Sequence, residues 1–325
     1  MPNIRMIASV AALLAATTSA VAQNWPVRAV TMVVPFAPGG STDTIARILA
    51  EGLRIQLGQS VIVENISGAG GMIGSSRVAK APPDGYEFVL GNVGTHSQSQ
   101  SFYKKPLYNA ATDFAPVGLV VYEGLVLITR KHFPADNLQE FIAYAMANQA
   151  RMHYGSGGTG GSNHLACVLL NSVIGINVAH VPYRGGGPAL QDLLAGRMDY
   201  QCASLSAALP YVEAKSVKAL AILSKARSSS LPDLPTAQEQ GLADFDGSSW
   251  YALFLPRATP ADIVQKLNRA VVAVLQLPPV QQRLKDIGSD LVPPDQQTPD
   301  YLGKFVAAEV EKSGRAIKAS GVQLE

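Results

Sequence analysis

Two apolar rhythms alternate along the chain. Short β-branched runs read as buried strands, and longer stretches with apolar residues every three or four positions read as helices. Residues 27–34 (VRAVTMVV) open the series as a strand, stopped by Pro35, Pro38 and the Gly39-Gly40 pair. Ser41 or Thr42 can cap a helix over 44–57, whose Ile45, Ile48, Leu49, Leu53 and Leu57 share one face. A strand at 61–64, a glycine turn at 68–71, a helix to about residue 80, a tight turn at 82–85 and a strand at 88–90 continue the order. This β-α-β-α-β succession predicts a parallel sheet with helices on both faces.

A second set of units begins near Gly124. Strands are expected at 125–129, 152–154, 178–181, 200–203 and 217–223, and helices at 138–148, 164–174 and 186–195. A glycine loop spans 155–162. After a strand at 248–255, helices at 260–275, 279–287 and 299–319 follow with no strand between them, so they should pack back on the first sheet. The expected fold is α/β and two-lobed, each lobe a mostly parallel sheet flanked by helices. The first lobe comprises 23–122 plus 248–325 and is discontinuous; the second is 123–247. No fixed-period repeat or low-complexity tract interrupts this order.

Composition narrows the classes. The 325 residues are 47% hydrophobic and only 15% charged, which is globular rather than disordered. Lys and Arg number 26 against 24 Asp and Glu, with no basic run, so nucleic-acid binding is not expected. Two cysteines exclude a disulfide-scaffold mini-protein and a Cys-rich zinc module. Residues 1–22 read as a cleavable secretory signal: Arg5, a short apolar run over 7–16, then Ala20-Val21-Ala22 before Gln23. A periplasmic or extracellular protein is expected, since no later run reaches the ~18 apolar residues of a membrane span.

The motifs of catalysis are missing. The sequence has no G-x-x-x-x-G-K-[ST], no H-E-x-x-H and no G-x-S-x-G, and its five His lack zinc-site spacing. Residues 155–160 fit G-x-G-x-x-G, but no acid follows before Asp192 to hold a ribose, so a dinucleotide is not expected. No catalytic residue, metal or cofactor is assigned. A glycine loop between a strand and a helix can instead hold an anion on backbone N–H groups at the positive end of the helix dipole. Residues 37–42 and 155–162 offer one such loop in each half, and 181–187 a third. A carboxylate clamped between two lobes is the natural guest; the bland alternative is that these glycines only make turns. His164 either donates to that guest or is a half-buried capped residue. Arg184 either pairs with it or is solvated, and Asp43 either binds an amino group or complements the dipole. Cys167 and Cys202 either join, closing a loop of about 36 residues, or are small core residues.

The run Trp25-Pro26-Val27-Arg28, followed by Val33-Val34-Pro35-Phe36-Ala37-Pro38-Gly39-Gly40-Ser41-Thr42-Asp43, resembles the start of the Bug proteins. These are the TctC-like solute-binding components of tripartite tricarboxylate transporters. Further segments agree in order: Glu64-Asn65 with Gly68-Ala69-Gly70-Gly71, Pro83-Asp84-Gly85-Tyr86, Gly155-Ser156-Gly157 and Val181-Pro182-Tyr183-Arg184-Gly185. Leu231-Pro232-Asp233-Leu234-Pro235-Thr236 with Glu239 and Gly241, and the stretch 256–268, extend the likeness over the whole mature chain. Ile66-Ser67 departs from the basic residue and Pro usual before the glycine turn, which leaves the ligand loops untouched.

The resemblance implies a periplasmic Venus-flytrap that holds a small carboxylate by amides and ordered water and performs no catalysis. Carried over by motif, its ligand residues are Phe36, Ala37, Gly39, Gly40, Ser41 and Asp43 in the first lobe. In the second they are Gly155, Ser156, Gly158, Thr159, His164 and Tyr183, with Ala203 and Ser204 at the end of the next strand. The implied partners are the membrane permease subunits of a tripartite transporter or, alternatively, a membrane sensor kinase; a monomer is expected. A periplasmic enzyme would need a nucleophile–base pair or metal in the cleft.

Overall fold

The computed structural model describes residues 25–321. The signal-like segment 1–22 lies outside them. The chain begins β1 (Val30–Val34), α1 (Ser41–Leu57), β2 (Val61–Asn65), α2 (Met72–Ala79) and β3 (Glu87–Asn92). A π-turn at Gly94–Gln98 leads into the short α3 (Ser99–Phe102), then β4 (Phe114–Glu123) and β5 (Leu125–Arg130). The middle holds α4 (Leu138–Asn148), β6 (His153–Ser156), α5 (Ser162–Ile174), β7 (Ala179–Pro182), α6 (Gly186–Leu194), β8 (Tyr200–Ser204), α7 (Leu205–Glu213) and β9 (Val217–Ile222). The last part is β10 (Ser249–Pro256), α8 (Ala261–Leu275), α9 (Pro278–Asp286), β11 (Ser289–Leu291) and α10 (Pro299–Ser320).

These strands form two sheets, of order β11-β4-β10-β3-β1-β2 and β7-β6-β8-β5-β9. Each is mixed rather than mostly parallel. β1 runs parallel to β2 and β3, and β6 to β7 and β8, as the β-α-β order requires. The strands that carry the chain between sheets are antiparallel to their neighbours: β4 and β10 in the first sheet, β5 in the second. The reason is connectivity. β5 and β10 each begin where the chain enters from the other sheet, Leu125 opposite the end of β8 and Ser249 opposite the end of β4, so they run against neighbours that end there.

One face of the first sheet is covered by α1 and α8. Met32, Val34, Phe88, Leu90 and Leu253 from the strands meet Leu49, Leu53, Leu267 and Val271 from the helices, all essentially fully buried. Each such side chain contributes ~1.5–3 kcal/mol on burial. Gly52 lets the two helices close: a Cβ there would lie 2.7 Å from a Val274 methyl. The C-terminal helix α10 covers the opposite face, burying Leu302 and Val306 against Leu119 and Phe254. Thr298 caps it by accepting from the Tyr301 N–H, with Pro299 in its first turn. The last helices therefore do return to the first sheet. In the second lobe, Cys167 on α5 and Cys202 on β8 are joined as a disulfide, with Cα atoms 5.5 Å apart, so the bonded alternative is the one adopted.

Candidate functional site

The two lobes are closed on one another, and glycines make the approach possible. A Cβ on Gly185 would fall 3.0 Å from the Ala37 nitrogen, and one on Gly187 would fall 2.8 Å from the Gly39 carbonyl carbon. The Ala37 N–H donates to the Arg184 carbonyl across the gap at 2.8 Å. At the other end of the cleft the Tyr103 hydroxyl donates to the Thr159 carbonyl at 2.8 Å. Gly70, with φ of +59°, packs so tightly that a Cβ would lie 2.2 Å from that same carbonyl oxygen.

Between these contacts lies a small cavity. Phe36, Gly40, Ser41 and Thr42 form its first-lobe wall, with Asn92 and Tyr251 beneath them. Asn163, Gly186, Leu190, Gln201, Ala203, Ser204 and Ala207 form the opposing wall. The volume open to the centre of a water molecule is about 20 Å³, room for roughly one water.

Among the described residues, no Lys, Arg or His lines it. Four helices instead bring their N-terminal ends there. α1 starts at Ser41, α5 at Ser162, α6 at Gly186 and α7 at Leu205, and in none does the N-cap side chain bond back to the first turn. Each helix end carries a partial positive charge and first-turn N–H groups without intrahelical partners. The polar side chains add hydroxyl and amide groups. Tyr251 and Ser41 share a 2.6 Å hydrogen bond, and the Tyr251 hydroxyl lies 3.4 Å from the Ser204 hydroxyl across the lobes. Asn163 is oriented by donating to the Cys202 carbonyl at 2.6 Å, beside the disulfide. The Gln201 side-chain carbonyl is buried without a hydrogen-bond partner.

Of the residues expected from the sequence, Phe36, Gly40, Ser41, Ala203 and Ser204 line this cavity. Ala37 and Gly39 lie in its loop, with their N–H groups committed to Arg184 and to the Asp43 carboxylate. Asp43 differs from expectation. It is turned away from the cavity lining and is buried, accepting from Gly39 N, from Asn65 and twice from Arg47. Burial alone would raise its pKa, but the Arg47, Gly39 and Asn65 bonds together hold it below the ordinary value. It braces the loop.

The loop over 155–162 also differs. Gly155, Ser156, Gly158 and Thr159 do not line the cavity; Gly158 and Thr159 instead meet Gly70 and Tyr103 across the lobes. A Cβ on Gly157 would sit 3.1 Å from the Gly186 nitrogen, and Gly158 adopts φ of +123° against Gly70. The Ser156 hydroxyl bonds His180 Nε2 at 2.7 Å and accepts from Gly158 N. His164 accepts the Gly160 N–H on Nδ1 and lies 4.1 Å, centroid to centroid, from the His180 ring. Burial pushes its pKa down to about 3, helped by His180, so it is neutral. The Tyr183 hydroxyl donates to Asp192, away from the cavity. This loop supports the Gly185–Gly187 loop, which takes the place at the cavity. Sequence reasoning missed Asn92, Asn163, Leu190, Gln201, Ala207 and Tyr251 as lining residues. The Asn163 position beside a helix start and the third glycine run were the available signals.

Two mixed α/β lobes closing over a cavity walled by helix N-termini define a two-lobed solute-binding receptor. Residues 45–322 match the family model described as the tripartite tricarboxylate transporter family receptor, TctC, and the chain belongs to that family. Solved relatives agree throughout their length. The periplasmic binding protein BugD is 38% identical, with a TM-score of 0.90 over 93% of this chain and all of its own. MatC from Rhodopseudomonas palustris, solved with malate, is 39% identical, with a TM-score of 0.88 over 90% of this chain and all of its own. A further R. palustris protein, solved with adipate, is 34% identical, with a TM-score of 0.88 over 93% of this chain and all of its own.

Proposed function

We propose that this receptor binds a small carboxylate between its lobes in the periplasm, after removal of residues 1–22, and hands it to the permease of a tripartite transporter without chemical change. The lobes would be 23–122 plus 248–325 and 123–247. The observation that carries the reading is the cation-free cavity surrounded by four helix N-termini from both lobes. Such a site stabilises negative charge by fixed dipoles and N–H groups. Malate and adipate, held by two relatives, are both dicarboxylates. The present volume holds about one water, so entry of an acid requires the lobes to part and reclose on it. Phe36, Gly40, Ser41, Ala203 and Ser204 are the residues proposed to touch it, with Asn163, Gly186 and Tyr251 added from the geometry.

The test is direct. Mass spectrometry of ligand released from the purified protein should show a small carboxylic acid. Calorimetry on refolded, ligand-free protein should show saturable binding of di- or tricarboxylates. Absence of binding across such a panel sinks the proposal. Recovery of permease subunits, rather than a sensor kinase, with the liganded receptor in a membrane pull-down tests the transport role.

A further inference from the structure

Glu123 is the last residue of β4, at the point where the chain leaves the first lobe. It is a carboxylic acid only 2% exposed. One oxygen accepts the Ser206 N–H of α7, in the second lobe, at 2.7 Å; the other is buried with no hydrogen-bond partner. Its polar neighbours are the Ser206 hydroxyl and the Tyr251 phenol. No Lys, Arg or His among the described residues contributes to its environment. On the flanking strands it pairs with Ser249 and Ser289. Asp290 pairs with Tyr122, one residue along, so both point to the opposite side of the sheet. Glu213 lies at the far end of α7. Among the described residues Tyr251 is thus the one titratable side chain facing it, and the Tyr251 hydroxyl reaches Ser41 and Ser204 in the cavity wall.

We infer that Glu123 takes up a proton from solvent when an anion enters the cavity, so that this receptor binds acid and proton together. The inference rests on the proposed carboxylate site. The physical reason is like-charge repulsion through one tyrosine in a poorly hydrated interior, which an ionised Glu123 would impose on the guest. Burial without a cation already brings the carboxyl to about 7, against a smaller opposing pull from Ser206 and Tyr251. A guest anion raises it further. His164 and His180, pushed by burial to about 3 and about 4, stay neutral throughout the range that matters. Glu123 acts as a positioning residue that sets the charge balance of the site and does not touch the ligand.

The test is calorimetry of malate and adipate binding between pH 6.5 and 8.5, where these acids are already ionised, in two buffers of different ionisation heat. The wild-type protein should take up close to one proton per ligand near pH 8. Its affinity should fall roughly tenfold across the range. Glu123→Gln keeps the acceptor for Ser206 N and should bind with no proton uptake and a flat pH profile. Binding without proton uptake in the wild type, or an unchanged pH slope in Glu123→Gln, overturns this inference and leaves the carboxylate site standing. Failure of every acid to bind overturns both.

Discussion

Asp43 offers a sharp test because sequence and structure give it different tasks. If it braces the Pro35–Gly40 loop, its removal should weaken the fold first and binding only through the loop. The carboxylate accepts from Gly39 N at 3.1 Å, from Asn65 at 3.0 Å and from Arg47 at 2.9 and 3.0 Å. Hydrogen bonds to a charged acceptor contribute ~1.5–3 kcal/mol each when shielded. The Arg47 side chain is 55% exposed, so its share falls toward the ~0–1 kcal/mol of a surface pair. Asp43→Ala should therefore cost about 3 kcal/mol, and Asp43→Asn about half, read by urea denaturation. The pH sign follows from the lowered pKa. The stabilisation is complete above the ordinary value of 3.8 and disappears as pH falls through the lower folded value. Asp43→Asn should thus flatten that acid limb. A variant of unchanged stability that loses binding more than tenfold would refute the bracing role and return Asp43 to the ligand.

The other expectations concern stability and closure. Replacing Cys167 and Cys202 with Ala should cost about 4 kcal/mol on the chain-entropy account, checked by denaturation against the oxidised protein. Gly70→Ala should hold the lobes apart, since its Cβ would strike the Thr159 carbonyl; small-angle scattering with ligand should show a larger radius than wild type. Tyr251→Phe removes the hydroxyl shared with Ser41 and Ser204 and should weaken ligand binding by about tenfold, the equivalent of ~1.4 kcal/mol, in calorimetry. His96, His164 and His180 are each pushed down by burial, to about 3, 3 and 4. The unfolded chain gains those protons below about pH 6.5, so stability should fall as pH drops through that value. Glu123, raised to about 7, opposes this above pH ~4.5. The net slope is about two protons, roughly 3 kcal/mol per pH unit between pH 4.5 and 6, measurable by denaturation across pH.

The periodic elements were legible because their apolar spacing is strong, and α1 and α8 are the plainest cases. β4 is not readable in the same way. Pro116 and Gly118 look like breakers, yet Pro116 sits beside a register shift opposite Phe254, where a strand tolerates a residue without an N–H. Pro210 likewise disguises α7, which continues through it. At the site, the motif loop gives Phe36, Gly40 and Ser41 directly, because a strand–glycine–helix order fixes where a helix N-terminus lies. Tyr251 is hidden: in the run over β10 it is one buried residue among eight, and only the sheet order puts its hydroxyl under the cavity. The Gly155–Thr159 loop is the converse case. Its local pattern fits an anion site, but the neighbouring Gly185–Gly187 loop occupies the nearer position.

Gly124 is the only residue between two strands that are paired up to their last members, Glu123 with Ser249 and Leu125 with Ser204. Rotation of one half against the other is therefore concentrated at Gly124 and at a second, equally short passage: Gly247 is still tied to the second lobe through its bond to the Leu223 carbonyl, and Ser249 already pairs with Glu123. The molecule should swing like a door on two close-set hinges, along a nearly fixed arc. Distances measured between labels on the two halves should change together along one coordinate, with little sideways play.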